Sequence, residues 1–525
     1  MLKYKVLWYN IFGKIFFILF QLILFSFPKL GFAQKTSSNF VIDKVHNKFN
    51  VVEFGAVGDG TTLNTKVIQI AIDSCAKIGG GKVIFTAGKY LTGTITLKSN
   101  VELHFERNAI LLGSTKHKDY PLQPLPKYRS HKDQLGGFYA LIYAEGVKNI
   151  SITGSGTIDG QGKFQKPREN PKAGDIDGRP RNILFISSKN ILVDGVNINN
   201  SGVWNQHYLN CEDVRIKNIS VYNHGNRNND GIDIDGCRRV ILSNSVFDSD
   251  DDGITLKSTG AAPCEDIVIT NCIVSSFCNA IKAGTESSGG FRNITISDCV
   301  IKPSIAKGKP VFGTPKIGIT GLSLIIVDGG TMQGITVNNL IINGTMVPLY
   351  IRLGNRARKY TQGIPKPKVG TVKNISISNV VAYQAGTWGS SITGILNHPV
   401  KNISLNNIQL FTEGGIELNE FSKIVSEDDK GYPQPTVWKN LPAYGFYLRH
   451  IKGISINGLV LGTKHPDSRI PFIAEDVTGL QIKNTRLINN PDSKPFLLGK
   501  EINQYDIEKP LGWEGEKRKL IKIIK

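Results

Sequence analysis

Between Asn228 and Ser258 the chain reads NNDGIDIDGCRRVILSNSVFDSDDDGITLKS. Seven of those 31 residues are aspartates, in a protein whose formal net charge is +20. Each acidic knot falls just before a small residue and an isoleucine: Asp230-Gly-Ile, Asp252-Gly-Ile and, one step further along, Asn279-Ala-Ile. If these segments are successive layers of one stacked sheet, Asp230, Asp252 and Asn279 share a column with about 4.8 Å between neighbours. Asp251 then stands beside Asp252, with Asp250 before it. Carboxyl groups so close cannot all ionise cheaply, so at least one keeps a proton near neutrality. A protonated carboxyl beside an ionised one provides an acid for a leaving oxygen and a base for water, the pair that glycosidic bond hydrolysis uses. Two other readings remain open on the residues alone. DSDDD offers hard oxygen ligands for calcium, as a calcium-dependent polysaccharide lyase would need. The same acids would also suit a noncatalytic carbohydrate-binding surface, and Asp233, Asp235 and Asp248 are expected only to occupy turns.

The elements that must position these residues are written as a repeat. After Asn100 come KNISITGSG, KNILVDGVN, EDVRIKNIS, RRVILSNSV, EDIVITNCI, RNITISDCV, QGITVNNLI, KNISISNVV, KNISLNNIQ, KGISINGLV and TGLQIKNTR. Each alternates apolar and polar residues, the period of a strand. Five residues past each start stands Gly154, Gly195, Asn218, Asn244, Asn271, Asp298, Asn339, Asn379, Asn407, Gly458 or Asn484. Gly, Asn and Asp are the residues that tolerate a left-handed corner. A unit of some two dozen residues cannot bury a core alone, so the units must stack. The reading is all-β: a single-stranded right-handed parallel β-helix, a pectin-lyase-like solenoid. TKVIQIAIDSCAKIG, from Thr65 to Gly79, carries a helical stripe of Ile68, Ala71, Ile72, Cys75 and Ile78. A short helix there would cap the open end of the stack.

Residues 1–33 read as a secretory signal peptide: Lys3, Lys5 and Lys14 lead into IFFILFQLILFSF, and GFA supplies small residues before Gln34. The expected organisation is one catalytic domain over 34–525, with an N-terminal cap at about 50–100, coils at about 101–490 and a tail at about 491–525. Without its four N-terminal lysines the chain keeps +16, which favours a polyanionic partner; export disfavours nucleic acid and favours a polysaccharide. Seven cysteines in an exported chain invite a search for disulfides. Cys211, Cys237 and Cys264 instead recur at coil spacing, as do Cys272 and Cys299, so apolar stacking is expected.

Between Val51 and Asn484 the sequence resembles glycoside hydrolase family 28, the polygalacturonase family. VVEFGAVGDGTT looks like its opening strand and turn, and NSGVWNQHYLNCEDVRIKNISV like the coil before its active site. NNDGIDI resembles its Asn-Thr-Asp motif, with Asn229 in place of Thr, and DDGITLKS its Asp-Asp motif. The resemblance implies an enzyme cleaving α-glycosidic bonds in pectin-like polysaccharide with inversion, Asp251 as general acid and Asp230 and Asp252 activating water. No metal or other cofactor is implied. The partner would be an acidic plant-type or algal polysaccharide or oligosaccharide, met by a monomer that is secreted or periplasmic and not on a membrane once the signal is removed.

Two family motifs are missing. Gly-His-Gly falls on Cys278-Asn279-Ala280, and PKIGITGLSLIIVDGG lacks the Arg-x-Lys pair that grips a galacturonate carboxylate. Substitutes are sought in AIKAGTESSGGF and YIRLGNRARKY, which contain Lys282, Glu286, Arg352, Arg356 and Arg358. Lys282 shares a column with Asp233 and Thr255 and is expected to touch substrate. Arg352 is expected to point outward from its strand, and Glu286 to meet sugar hydroxyls or brace Lys282. With Asn228 and Asn279, these three complete the expected substrate-binding set. EDDKGYPQPTVWKNLPAYGFYLRH is long and aromatic for a turn; at least half of its aromatics are expected to cover the solenoid core, and if the segment folds over the cleft the enzyme would trim chain ends.

Overall fold

Strands of alternating character stack only if their apolar residues fall in register, and here they do. Ile150, Ile191, Val214, Val240, Ile267, Ile294, Ile335, Ile375, Ile403, Ile454 and Leu480 are consecutive partners in one parallel column. All are buried in one continuous core. Every ladder between neighbouring strands is parallel, and each coil contributes strands to three faces of a right-handed parallel β-helix. The structure, a computed structural model, describes residues 47–131, 138–169, 176–306, 317–417, 424–489, 495–516 and 520–524. The expected export segment lies outside the described residues.

The predicted corner column is left-handed throughout, from Gly154 (φ 111°) and Asn218 (φ 57°) to Asn484 (φ 51°). A second such column sits at the second residue of each repeat, including Asn149, Asn190, Asp213, Asp266, Asn293, Asn374 and Asn402. Asparagine does more there than tolerate the angle. Asn190 Nδ2 donates to Asn149 Oδ1 at 2.8 Å, Asn293 to Asp266 at 3.0 Å and Asn402 to Asn374 at 3.0 Å, tying each corner to the coil before it. Arg239 holds this conformation too (φ 56°), with Nε on Asp213 Oδ1 at 2.7 Å.

The capping helix α1 runs Thr65–Lys77 and buries Ile68, Ala71, Ile72 and Cys75. Ile78 follows the last helical residue and is 54% exposed, so it leaves the expected stripe. The stack also exceeds the boundaries read from the repeat. Gly81–Phe85 already pairs with Val101–Phe105, and Leu497–Ile507 pairs with Ile470–Lys483. In that last coil Glu501 and Gln504 take the left-handed corners, so the Gly/Asn/Asp signature is absent. All seven cysteines are buried and free. Cys211, Cys237 and Cys264 stack, and their thiols donate to the carbonyls of Phe185, Tyr208 and Ile234.

One face departs from the inside–outside alternation. Its strands, in chain order, are β1 (Ala140–Glu145), β2 (Arg181–Ile186), β3 (Gln206–Leu209), β4 (Ile232–Asp235), β5 (Ile254–Ser258), β6 (Asn279–Ser287), β7 (Gly318–Ile326), β8 (Thr345–Leu353), β9 (Ser390–Thr393) and β10 (Ala443–His465). From β3 to β9 every residue is buried on both sides. The long segments between coils explain this for β7–β10. Trp438, Leu441 and Val425 pack with Ile325, Val347, Tyr350 and Tyr447 in a second hydrophobic cluster outside the solenoid core. Tyr444 and Phe446 instead fill the core, so the aromatic run divides between the two sides.

Candidate active site

The register places Ile232, Ile254 and Ile281 side by side, so Asp230, Asp252 and Asn279 form the expected column at the entrance to β4, β5 and β6. Gly231 N–H donates to Asp252 O, and Gly253 N–H to Asn279 O, both at 2.8 Å. Only glycine allows this approach: a Cβ at Gly231 would lie 2.6 Å from Gly253 O, and one at Gly253 2.6 Å from Ala280 O. Asp251 sits at the lip, with its Oδ1 accepting from Asp252 N at 2.9 Å and its Oδ2 3.5 Å from Asn228 Nδ2. Asn228 (φ 53°) is in turn held by Arg179.

The three aspartates are electrostatically distinct. Burial acts to raise Asp252, but Lys282 Nζ, 2.7 Å from its Oδ2, and Lys257 outweigh it and hold the carboxyl below its ordinary range. Asn279 Nδ2 donates to Asp252 Oδ1 at 2.6 Å. Burial, then the neighbouring Asp252 charge, pushes Asp251 up to about 6. Asp230 is raised well above 3.8 by burial and by Asp233, which burial itself raises to about 7. The site therefore offers one ionised carboxylate, Asp252, beside carboxyl groups that hold protons in mildly acidic solution.

Several expectations change. Lys282 is 2% exposed and is committed to Asp252, because β6 directs it onto the neighbouring carboxylate and away from solvent. Arg352 leaves the outer side of β8 as expected but is covered: its Nη2 donates to the carbonyls of Glu427 and Asp428, and its guanidinium lies 4.4 Å from the Trp438 ring. It anchors the 424–441 segment. Glu286 braces Lys257, at 3.4 Å, and not Lys282. A register shift between β5 and β6, where Leu256 pairs with Ala283 but Ser258 with Ser287, carries it there. Asp233, Asp235 and Asp248 are not turn residues. Asp233 and Asp235 are buried in β4, and Asp235 accepts from Thr259 Oγ1 and lies 3.0 Å from His207 Nε2. Asp248 pairs with His224 at 2.8 Å.

Lys257 was missed. Its Nζ lies 3.6 Å from Asp230, 3.4 Å from Asp233 and 3.4 Å from Glu286, with the Trp204 ring 4.4 Å away. The signal was present, since Lys257 shares the parity of Thr255 on β5 and therefore the outer side. Cys278 was also missed as a site residue. Its sulfur and carboxylate oxygens of Asp251 and Asp252 lie within 4.8 Å of one another, and Gln434 Nε2 of the covering segment reaches the sulfur at 3.6 Å. This trio suits calcium poorly. Burial keeps the Cys278 thiol protonated, and the Lys282 ammonium already occupies Asp252.

A parallel β-helix holding a protonated and an ionised carboxyl group at one column has the equipment of a glycoside hydrolase. The chain belongs to the glycosyl hydrolases family 28, whose sequence model matches residues 75–426. It is 29% identical over 381 residues to a probable polygalacturonase of Vitis vinifera, covering 69% of this chain and 74% of that one. An exo-poly-alpha-D-galacturonosidase of Dickeya chrysanthemi is 27% identical over 340 residues; the match covers 54% of this chain and 55% of that relative. Among solved structures, the family 28 exopolygalacturonase of Yersinia enterocolitica superposes with a TM-score of 0.60 at 20% identity, over 89% of this chain and 79% of that one. The protein is therefore a glycoside hydrolase.

Proposed function

We propose that this enzyme hydrolyses α-glycosidic bonds in an acidic, pectin-type polysaccharide or its oligosaccharides, inverting the anomeric carbon, as a monomer outside the cytoplasm. The observation that carries this reading is the placement of Asp251 beside Asp252, with Lys282 2.7 Å from Asp252 holding that carboxyl ionised while burial raises Asp251. Asp251 donates its proton to the leaving glycosidic oxygen. Asp252 takes a proton from water as the water oxygen bonds to the anomeric carbon. Asp230, raised above its ordinary range, serves as a hydrogen-bond donor that orients the water. Lys282 and Asn279 keep the base ionised and aimed. The named activities of the Vitis vinifera and Dickeya chrysanthemi relatives support a galacturonate-containing substrate.

Action at chain ends is supported by the 424–441 segment. Gln434 reaches Cys278 beside the aspartates, and Tyr432 of the same segment is 48% exposed. A wall there leaves room for a chain terminus on one side of the scissile bond. Digestion of polygalacturonate should accordingly release short products from the first minutes, with a slow fall in viscosity, equal rates with and without EDTA, and no absorbance near 235 nm. Unsaturated products, or activity lost in EDTA and restored by calcium, would replace hydrolysis with elimination. Early products of mixed length would replace end-trimming with internal cutting.

The pH dependence follows from the two carboxyl groups. Rate should fall as pH rises through about 6, where Asp251 loses the proton it must donate, and fall again below 3.8, where Asp252 gains one. A pH profile of kcat/KM peaking at neutral or alkaline pH would contradict these roles.

A further inference from the structure

We propose that Arg358, with Lys359 and His131, forms a subsite for a carboxylate of the substrate, in place of the absent Arg-x-Lys pair. This rests on the reading of an acidic substrate above. The three basic residues line a cavity of about 530 Å³ together with Thr361 and Gln362, and among the described residues no carboxylate shares that lining. Arg358 is the exposed member of its cluster: its side chain is 39% accessible, against 12% for Arg356, and Arg352 is buried.

Arg358 is fixed on one side of its guanidinium and open on the other. Arg356 grips Asp328 with both Nε and Nη2, at 3.0 and 2.6 Å, and neutralises it. Glu286 lies 3.4 Å from Lys257, which also faces Asp230 and Asp233. Arg358 thus meets two carboxylates that each have a second cation nearby. Its Nη2 is shared among Glu286 (3.2 Å), Asp328 (3.3 Å) and His131 Nε2 (3.3 Å), whereas among the described residues Nη1 makes no hydrogen bond. A guanidinium fixed through one nitrogen, with another still able to donate, is preorganised for an incoming carboxylate. The site is also joined to the chemistry. Glu286 links Arg358 to Lys257, which lies 3.6 Å from Asp230. A sugar acid held at Arg358 would therefore be linked to Asp230 through two ion-paired residues, Glu286 and Lys257.

The test compares trigalacturonate with its fully methyl-esterified counterpart, which keeps the shape and removes the charge. Losing a charge-assisted hydrogen bond should lower kcat/KM of Arg358→Gln on the acidic substrate by about ten- to a hundredfold, mainly through KM, and on the ester by less than about threefold. Lys359→Gln should shift the same ratio by a smaller factor, and melting temperatures should verify folding. Equal losses on both substrates would make Arg358 a brace for Glu286 and overturn the subsite. So would a wild-type preference for acid that both variants retain. A wild type with no preference would overturn the acidic-substrate reading and this site together.

Discussion

Asp251→Asn should leave the fold intact and lower kcat by about two to four orders of magnitude, the scale of a lost general acid. The substitution keeps size and the acceptor for Asp252 N at the lip of β5, gives up only the long contact with Asn228 Nδ2, and removes the transferable proton. Its signature is the dependence on leaving group. A substrate whose departing oxygen needs little protonation, such as an aryl glycoside of low phenol pKa, should lose much less. The fall in rate above about pH 6 should vanish as well, because the carboxyl whose deprotonation causes it has been removed. Equal losses on good and poor leaving groups would transfer the acid role to Asp230, which also holds a proton.

Lys282→Met has the other large expected effect, on stability as well as rate. Lys282 and Asp252 are 2.7 Å apart and nearly inaccessible, so removing the ammonium leaves a buried carboxylate without its partner. Such a loss typically costs about 3–5 kcal/mol near neutral pH. In the wild type the Asp252 carboxyl is depressed, so its stabilising contribution is present above 3.8 and lost as pH falls through its lower folded value. In the variant the group is raised, and protonation relieves the cost. The gap between the two proteins in urea unfolding should therefore be widest near pH 7 and shrink below about 4. Activity should fall on acidic and methyl-esterified substrates alike, since the base and not sugar recognition is damaged. An unchanged unfolding midpoint at pH 7 would refute the pairing.

Much of this site was legible because the solenoid converts sequence spacing into lateral position. Reading Asp230, Asp252 and Asn279 against their following isoleucines gave their true column, since coil register is fixed by inward apolar residues that cannot slip without facing outward. The corner asparagines were legible for a related reason: a left-handed φ restricts residue choice wherever it occurs. Lys282 and Glu286 were misread because parity gives the side of a strand but not what covers it, and because a register shift leaves no mark in composition. Arg352 was placed on the correct side and given the wrong neighbour. Its partners are the carbonyls of Glu427 and Asp428, which come from a segment with no repeat period.

The stacked thiols have a consequence for how the molecule meets a reductant. Five of the seven, Cys211, Cys237, Cys264, Cys272 and Cys299, donate to backbone carbonyls within the coils. The folded state thus uses its sulfurs as small hydrogen-bonding apolar groups, and no covalent crosslink is needed to close a coil. A reductant therefore has no sulfur–sulfur bond to break in the folded coils.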